Sequence, residues 1–453
     1  MGAFQVKKGF DIPLEGEAPR TLRDLPASPL VAFNPEEFPF MKWRLLVAEG
    51  DAVKVGTPIA AAKQDENIVF CSPVAGSVHR IVRGDRRKLL SVVLKNDGSG
   101  EAIDFGAWDM AKVGSAGRDA LVAHLQKGGL WPLLKQRPFG KLADASKAPK
   151  ALFVNAMETA PLGADQEFLL ADRADEFTLG LQALLEIVPT IHLCIRQGCS
   201  FGALVHAQGV DVHTFAGPHP AGLPGTHINA ISPINKGETV WTITAYQVSL
   251  IGEFLRTGKV PERQIVAVAG SAAKDRGYFR ATRGAQISNI VGGQPLENVR
   301  AIAGTPLFGT AKGADDCIGL RDASVCLIPE ETERHYLLGD QHWTGAGFHA
   351  FSTWRLFASR LCCRAKKWAL STALRGGKRA IIQQDVYERF SPLDVPLTTL
   401  VKAIPGGDVE RLEQLGLYEL EPEDVALCTF ACPSKVDVAE EIRKGLAILE
   451  KEV

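Results

Sequence analysis

The chain has no long hydrophobic run. No window of about 18 uninterrupted apolar residues occurs in its 453 positions, so nothing in it is expected to span a bilayer, and any membrane association has to be peripheral. It also lacks an excess of either charge. With 51 Lys and Arg against 52 Asp and Glu there is no global field to draw in a polyanion, which argues against nucleic acid as a partner. The opening residues, Met1-Gly2-Ala3-Phe4-Gln5-Val6, show neither the apolar stretch nor the small-residue cleavage site of a secretory signal, so a cytoplasmic chain is expected. Its nine cysteines are scattered, and reduced thiols serving as small core hydrophobes are the default reading.

The familiar chemical motifs are missing as well. No G-x-G-x-x-G follows a strand pattern, so the phosphate-cradling turn of a dinucleotide fold is not legible, and the nearest P-loop relative, Gly304 to Thr310, has no Lys to reach a phosphate. There is no C-x2-C, no H-E-x-x-H and no EF-hand loop. Cys428-x3-Cys432-Pro433 is half of a ferredoxin-type run. A cluster there would need Cys362 and Cys363, or Cys194 and Cys199, and vicinal cysteines on a helix point about 100° apart. His213, His219 and His227 crowd around Gly217 to Gly225 (GPHPAGLPG), but Asp211 is the one acidic residue between Val188 and Lys236. Histidines satisfying backbone carbonyls are therefore favoured over a metal site. No Ser/His/Asp order or nucleophile elbow exists, and neither catalytic residues nor metal ligands are assigned.

What is present is enough apolar material for several cores: 46% hydrophobic residues in a chain too long for one. The patterns predict an α+β multi-domain fold. Residues 43–95 alternate short apolar runs with glycine turns, a small β-sandwich or barrel. Within it, Glu49-Gly50-Asp51-x-Val53-x-x-Gly56 and Ser72-Pro73-x-Ala75-Gly76-x-Val78 resemble the biotinyl/lipoyl (barrel-sandwich) domain, whose modified lysine sits at a hairpin tip. Here the tip falls near Glu66 or Asn67 and the lysine, Lys63, is displaced, so a structural module is expected; a swinging arm on Lys63 is the alternative. Helical stretches at Asp119–Lys127 and Asp165–Ile187 between strand candidates Ala151–Phe153 and Ile191–Ile195 predict α/β layering, with GPHPAGLPG as a structured loop. Short β-rich runs between Gln264 and Ile328 (QIVAVAG, QISNIVGG, NVRAIAGTPLFG, ASVCLI) predict a β-grasp-like module. Ser352–Leu374, Leu397–Ile404 and Ala439–Lys451 predict a helical end.

Several strings resemble one family along nearly the whole chain. They are Lys8-Gly9-x-Asp11-x-Pro13-x-x-Gly16; Gly129-Leu130-Trp131 with Arg137-Pro138-Phe139-x-Lys141; Phe215-Ala216-Gly217-Pro218-His219-Pro220-Ala221-Gly222-Leu223-Pro224-Gly225-Thr226-His227-Ile228; Thr372-Ala373-Leu374-x-Gly376-Gly377; Tyr387-Glu388-Arg389; Pro392-Leu393-Asp394; and Glu423-Asp424-x-Ala426-Leu427-Cys428-Thr429. The family is the A subunit of the sodium-translocating NADH:quinone oxidoreductase (Na+-NQR), which itself resembles the NADH-binding subunit of complex I and the C subunit of the Rnf complex. The resemblance implies four regions: 1–100, an N-terminal segment and biotinyl/lipoyl-like domain; 101–257, a Rossmann-like α/β domain; 258–330, an SLBB-like β-grasp; and 331–453, a helical domain. It also implies a peripheral subunit on the cytoplasmic side of the bacterial inner membrane. There it would sit with five other subunits, chiefly an integral membrane one, in a respiratory translocase that oxidises NADH, reduces ubiquinone and exports Na+.

The family is understood to have lost the FMN, NADH and iron-sulfur sites of its relatives, leaving FAD, FMN and iron-sulfur centres to other subunits. Two features agree with that loss: Arg137-Pro138-Phe139-Gly140-Lys141 stands where relatives have a glycine-rich flavin loop, and only Cys428 and Cys432 remain where four thiolates would be needed. A stand-alone flavin or iron-sulfur oxidoreductase of Rnf type is the alternative. Trp131, Arg137, Phe139 and Lys141 offer an aromatic wall and cationic donors to a quinone on the ubiquinol-forming side, with core packing as the competing role. Trp354, Arg364, Lys366 and Lys367 suit docking to a headgroup boundary or acidic partner, with an ordinary amphipathic helix as the competing role.

Overall fold

A computed structural model describes residues 2–331, 367–374 and 377–452. Two antiparallel sheets make the barrel-sandwich: Leu30–Phe33, Leu89–Asn96, Gly76–Arg83 and Ala52–Val53 in one, Trp43–Leu45, Pro58–Ala62 and Val69–Cys71 in the other. Between them Phe33 stacks on Phe70 at 4.2 Å and meets Trp43 edge-on at 5.1 Å, an aromatic centre that a domain of short strands needs for burial. Lys63 is exposed directly after the Pro58–Ala62 strand, and the corner itself is Glu66 and Asn67, braced by Asp65 on Asn67.

The second domain is built on a seven-stranded sheet in the order Gly2–Gln5, Asp211–Ala216, Ile191–Arg196, Leu152–Asn155, Val240–Thr244, Lys135–Arg137, Lys141–Leu142. The first five are parallel and the last two antiparallel. Leu152 and Val154 face the core shared with helices Arg118–Lys127, Ala174–Leu185 and Ala245–Thr257, whereas Ala151 and Phe153 face Pro224–Ile231, the alternation a two-sided sheet requires. Helices Ala174–Leu185 and Ala245–Thr257 lie so close that a Cβ on Gly252 would come within 1.7 Å of the Glu176 carbonyl. The helix expected over Asp165–Ile187 is two, Gln166–Leu169 and Ala174–Leu185; at the break Arg173 leaves helical geometry and its guanidinium turns to Ser249 and Glu253.

A six-stranded sheet, Thr310–Lys312, Val299–Ala303, Ser324–Pro329, Arg263–Ala269, Gly277–Thr282 and Leu22–Asp24, forms the β-grasp layer. QISNIVGG, expected to be extended, instead contains the helical turn Ile287–Ile290, which ends at Gly292 and Gly293, both at positive φ. An apolar run this short does not distinguish strand from helix, and the two glycines act as a stop signal. The first 24 residues do not all belong with the barrel. Gly2–Gln5 adds an edge strand to the α/β sheet and Leu22–Asp24 one to the β-grasp sheet.

The final helices, Leu397–Ala403, Val409–Gln414, Ala426–Ala431 and Val438–Leu449, close on Leu400, Leu412, Val425, Ile442 and Leu446, with Asp408 and Asp437 as N-caps. Trp354, Arg364 and Lys366 lie outside the described residues. The helix expected over Ser352–Leu374 does not extend into its described end: residues 367–374 are not helical, Trp368 bridges to Leu14, and Lys367 pairs with Glu17. Among the described residues no helix is long and apolar enough to cross a membrane.

Candidate functional site

In open parallel sheets ligands bind outside the carboxyl ends of the strands, where the strand order reverses. Here the chain runs outward from Leu152–Asn155 to Ile191–Arg196 and Asp211–Ala216, then returns to Val240–Thr244 on the other side, so the reversal lies beyond Asn155 and Thr244. Both ends are occupied by the chain itself. Thr244 forms a capping box with Gln247, and the amide of Tyr246 donates to Gln166 Oε1 at 3.3 Å, which consumes helix N-terminal amides that would otherwise meet a phosphate. Asn155 donates to the Gly222 carbonyl at 2.9 Å and accepts from the Met157 amide at 3.1 Å.

GPHPAGLPG lies across the same edge. Thr159 Oγ1 accepts the Gly222 amide at 2.8 Å and sits 3.2 Å from His219 Nδ1. His227 Nε2 is 2.9 Å from the Ala221 carbonyl and therefore carries the proton. Burial pulls His219 down to about 4 and His227 to about 3, so both are neutral imidazoles at pH 7. The N-terminal segment lies directly on this loop. The His219 amide donates to Asp11 Oδ1 at 2.8 Å and the Phe10 amide to the His219 carbonyl at 2.8 Å. Gly9 and Gly217, both at positive φ, sit where a Cβ would be 2.1 Å from the His219 carbonyl oxygen and 2.2 Å from that of Val6. Two strings more than two hundred residues apart thus form one contact.

A third string closes the assembly. Arg137, 2% exposed, forms a fork with Asp424 (Nη1 to Oδ2 2.7 Å, Nη2 to Oδ1 3.3 Å) and approaches Glu421 Oε1 through Nε at 3.3 Å; Lys135 also pairs with Glu421. Burial works against the Arg137 charge, but Asp424 and Glu421 outweigh it and its pKa is raised. A Cβ on Gly225 would be 2.2 Å from Asp424 Oδ1, so the last glycine of GPHPAGLPG makes room for this carboxylate. From the same 3-10 turn, the charge of Glu423 acts on Glu158, whose carboxylate accepts the amides of Thr159 (2.7 Å) and Ala160 (2.6 Å). Burial first, then Glu423, lift Glu158 to about 7.

Of the four residues assigned to a quinone, three come together and one does not. Phe139, at φ +78°, packs edge-on to Tyr418 at 5.8 Å and Phe40 at 6.3 Å; Lys141 lies over the Phe139 ring and pairs with Glu450 at 2.7 Å. Arg137 lies behind them in the buried ion network. Trp131 belongs to the α/β core, fully buried, edge-on to Trp241 at 5.5 Å, its Nε1 donating to Ala143 at 2.8 Å. The larger open clefts are lined by other residues. Cys428 and Cys432 lie in the C-terminal core against Tyr387, with Cys432 Sγ 3.1 Å from its hydroxyl, whereas Cys194 is in the α/β sheet; Cys362 and Cys363 are outside the described residues. The seven described cysteines are free, and no group of three or more metal-ligating side chains occurs among the described residues.

Family models match three stretches: the NqrA N-terminal barrel-sandwich hybrid domain over residues 4–97, the NqrA second alpha/beta domain over 116–260, and the NQRA C-terminal domain over 265–313. The A subunit of the Na(+)-translocating NADH-quinone reductase of Rhodopirellula baltica is 36% identical, covering 99% of this chain and 98% of that protein. The chain belongs to this NqrA family. Relatives of the same name are 35% identical in Mannheimia succiniciproducens, over 99% of both chains, and 35% in Neisseria meningitidis serogroup C, over 99% of this chain and 100% of that protein. A solved NAD+-reducing [NiFe]-hydrogenase aligns at TM-score 0.34 and 13% identity over 47% of each chain, too weak a likeness to build on.

The residues missed on sequence are the acidic partners: Glu421 for Arg137 and Lys135, Asp11 for His219, and Glu158. Asp11 and Asp424 stood inside family strings, but nothing local pointed to what they meet.

Proposed function

We propose that this chain serves as one subunit of a sodium-pumping NADH-quinone reductase complex, contributing assembly surface and the quinone-reducing side without a flavin, NADH or iron-sulfur site of its own. Membership of the NqrA family supports the complex. The observation that carries the chain's own role is the closure of the strand-end crevice. The capping box at Thr244 and Gln247, the Gly9–His219 contact and Asp424 against Gly225 are contacts of the chain with itself at this end of the sheet, and they support the reading. The pairing of Arg137 with Glu421 and Asp424 supports this reading, because a cation already matched by buried carboxylates is a poor phosphate ligand.

The quinone reading rests on the rim rather than on all four residues first singled out. Phe139, Tyr418 and Phe40 present aromatic edges beside Lys141, a cation about a quarter exposed that can donate to a quinone carbonyl. Arg137 lies behind this rim in the buried ion network, and Trp131 lies apart from it in the α/β core. The cytoplasmic face and an integral membrane partner remain part of this proposal, as does kinship to complex I and to the C subunit of Rnf.

The test is to purify the full chain, record its visible spectrum and intact mass, and titrate ubiquinone with a photoreactive quinone analogue. Expected are a colourless protein of unmodified mass and a label at or beside residues 139–141. A stoichiometric flavin or iron-sulfur spectrum, or an adduct on Lys63, would overturn the cofactor reading; labelling that spared residues 130–141 would overturn the quinone reading.

A further inference from the structure

Where the barrel-sandwich, α/β and β-grasp domains meet, a small enclosed cavity is lined by Phe33, Glu37, Phe70, Cys71, Val260 and Arg283, among others. Its apolar lining belongs to one continuous core, and among the described residues its cationic lining residue is Arg283. This guanidinium is 3% exposed. Its Nη1 reaches the Pro261 carbonyl at 3.3 Å, but Nε and Nη2 have no acceptor among the described residues, and no ion pair is formed to a described carboxylate. Arg137, equally buried, holds two carboxylates, so the contrast lies in the environment rather than the residue type. An unmatched buried guanidinium is strongly unfavourable, because both its charge and its N–H donors lose water without replacement.

Glu37 shares the cavity without supplying the missing charge. One of its oxygens is taken by the Leu320 amide at 2.7 Å. Burial, together with neighbouring Asp322, pushes its carboxyl well above the usual carboxylate range. In that form Glu37 is a hydrogen-bond donor. The remaining walls are aromatic, aliphatic and thiol surface, and the void, about 10 Å³, is of the order that takes one small ligand. We propose that Arg283 binds a halide-sized anion, chloride in the cell, through Nε and Nη2, so that the joint of the three domains closes around a buried ion. Water would satisfy the donors but leave the charge unmet; a monatomic anion answers both.

Crystals of the full chain grown in sodium bromide test this through anomalous scattering at the bromine edge. The expected result is an anomalous peak within hydrogen-bond reach of Arg283 Nε and Nη2. Density there without anomalous signal, meaning a water, or a Glu37 carboxylate rotated onto Arg283, overturns the proposal. In solution, chloride or bromide should raise the unfolding temperature by about 2 °C over gluconate at equal sodium and ionic strength. The gain should persist in Glu37→Gln, which keeps a neutral donor, and vanish in Arg283→Gln. A gain that survives Arg283→Gln, or is absent from the unmodified chain, also overturns it. Should Arg283→Gln not fold, the bromide measurement on the unmodified chain decides alone.

Discussion

The ion network at Arg137 allows an ordering of variants that a simple count of contacts would reverse. Removing one member of a buried pair costs about 3–5 kcal/mol, mainly because the partner stays buried and charged. Arg137→Met leaves Asp424 with the Glu421 amide at 2.9 Å and leaves Glu421 with Lys135, so a loss of about 4 kcal/mol is expected. Asp424→Asn should cost less, about 2–3 kcal/mol, because Arg137 keeps Glu421 and Asn can still accept a hydrogen bond. The double variant removes both charges, retains Lys135 with Glu421, and should lie above Arg137→Met alone, at about 1–2 kcal/mol below the unmodified chain. Arg137 stands on the Lys135–Arg137 strand of the α/β sheet and its carboxylate partners stand beside the helices Leu397–Ala403 and Val438–Leu449, so the loss falls on the contact between sheet and helices. Hydrogen exchange of those helices measures it without assuming all-or-none unfolding. The pH dependence has a defined sign. Burial tends to raise Glu421, but Arg137 and then Lys135 outweigh it and its pKa is lowered from 4.5; its share of the contact energy is therefore full above 4.5 and fades as pH falls through the depressed value. A double variant as damaged as Arg137→Met, or costs independent of pH below 4.5, would refute the reasoning.

Other outcomes follow from the same contacts. Gly252→Ala drives a methyl into the Glu176 carbonyl, and the two packed helices must separate; a loss of about 2–3 kcal/mol in the α/β domain is expected by denaturant unfolding, whereas alanine at the open Gly114 should change little. Asp11→Ala removes the acceptor of the His219 amide, and at about 1.5–3 kcal/mol for such a bond the N-terminal segment should become trypsin-sensitive at Lys7 and Lys8 while the barrel stays resistant. His219 and His227 titrate below their ordinary 6.5, so the stability they confer is complete above 6.5 and lost as pH falls towards about 4 and about 3. Glu158, raised to about 7, opposes them, since its protonation favours the folded form as pH falls through 7. His227→Phe should flatten the acid limb of a stability-versus-pH curve; an unchanged limb would show that the imidazole is not what acid attacks.

How much of this was legible depends on whether the controlling contact is local. Glycine turns at regular spacing disclosed the barrel, because a tight turn is a property of the turn residues themselves. The α/β alternation from Arg118 to Thr257 was readable for the same reason, and so were the terminal helices. The placement of Gly2–Gln5 and Leu22–Asp24 was not, since a four- or three-residue strand carries no signal of which sheet edge will take it. Residues 367–374 lack helix because Leu14 offers Trp368 a backbone partner, again from far along the chain. Arg137 and Lys141 read as unpartnered for the same reason: Asp424 is 287 positions away and Glu450 309, so the carboxylates that meet them have no local signal.

The family strings take on a different meaning in that light. Gly-, Pro- and His-rich segments usually mark a binding loop, because a backbone with few side chains lets a ligand approach. Here the backbone that approaches belongs to the chain. Gly9 clears His219, Gly217 clears Val6, and Gly225 clears the carboxylate that holds Arg137. The strings from the N-terminal segment, Arg137–Lys141, GPHPAGLPG and the 3-10 turn at Glu423-Asp424 meet at one end of the α/β sheet. Their specificity as a signature therefore follows from mutual fit among three domains. A substitution at any one of these glycines should disturb the others' contacts, whereas Phe139 and Lys141 lie where the proposed quinone contact can be tested separately.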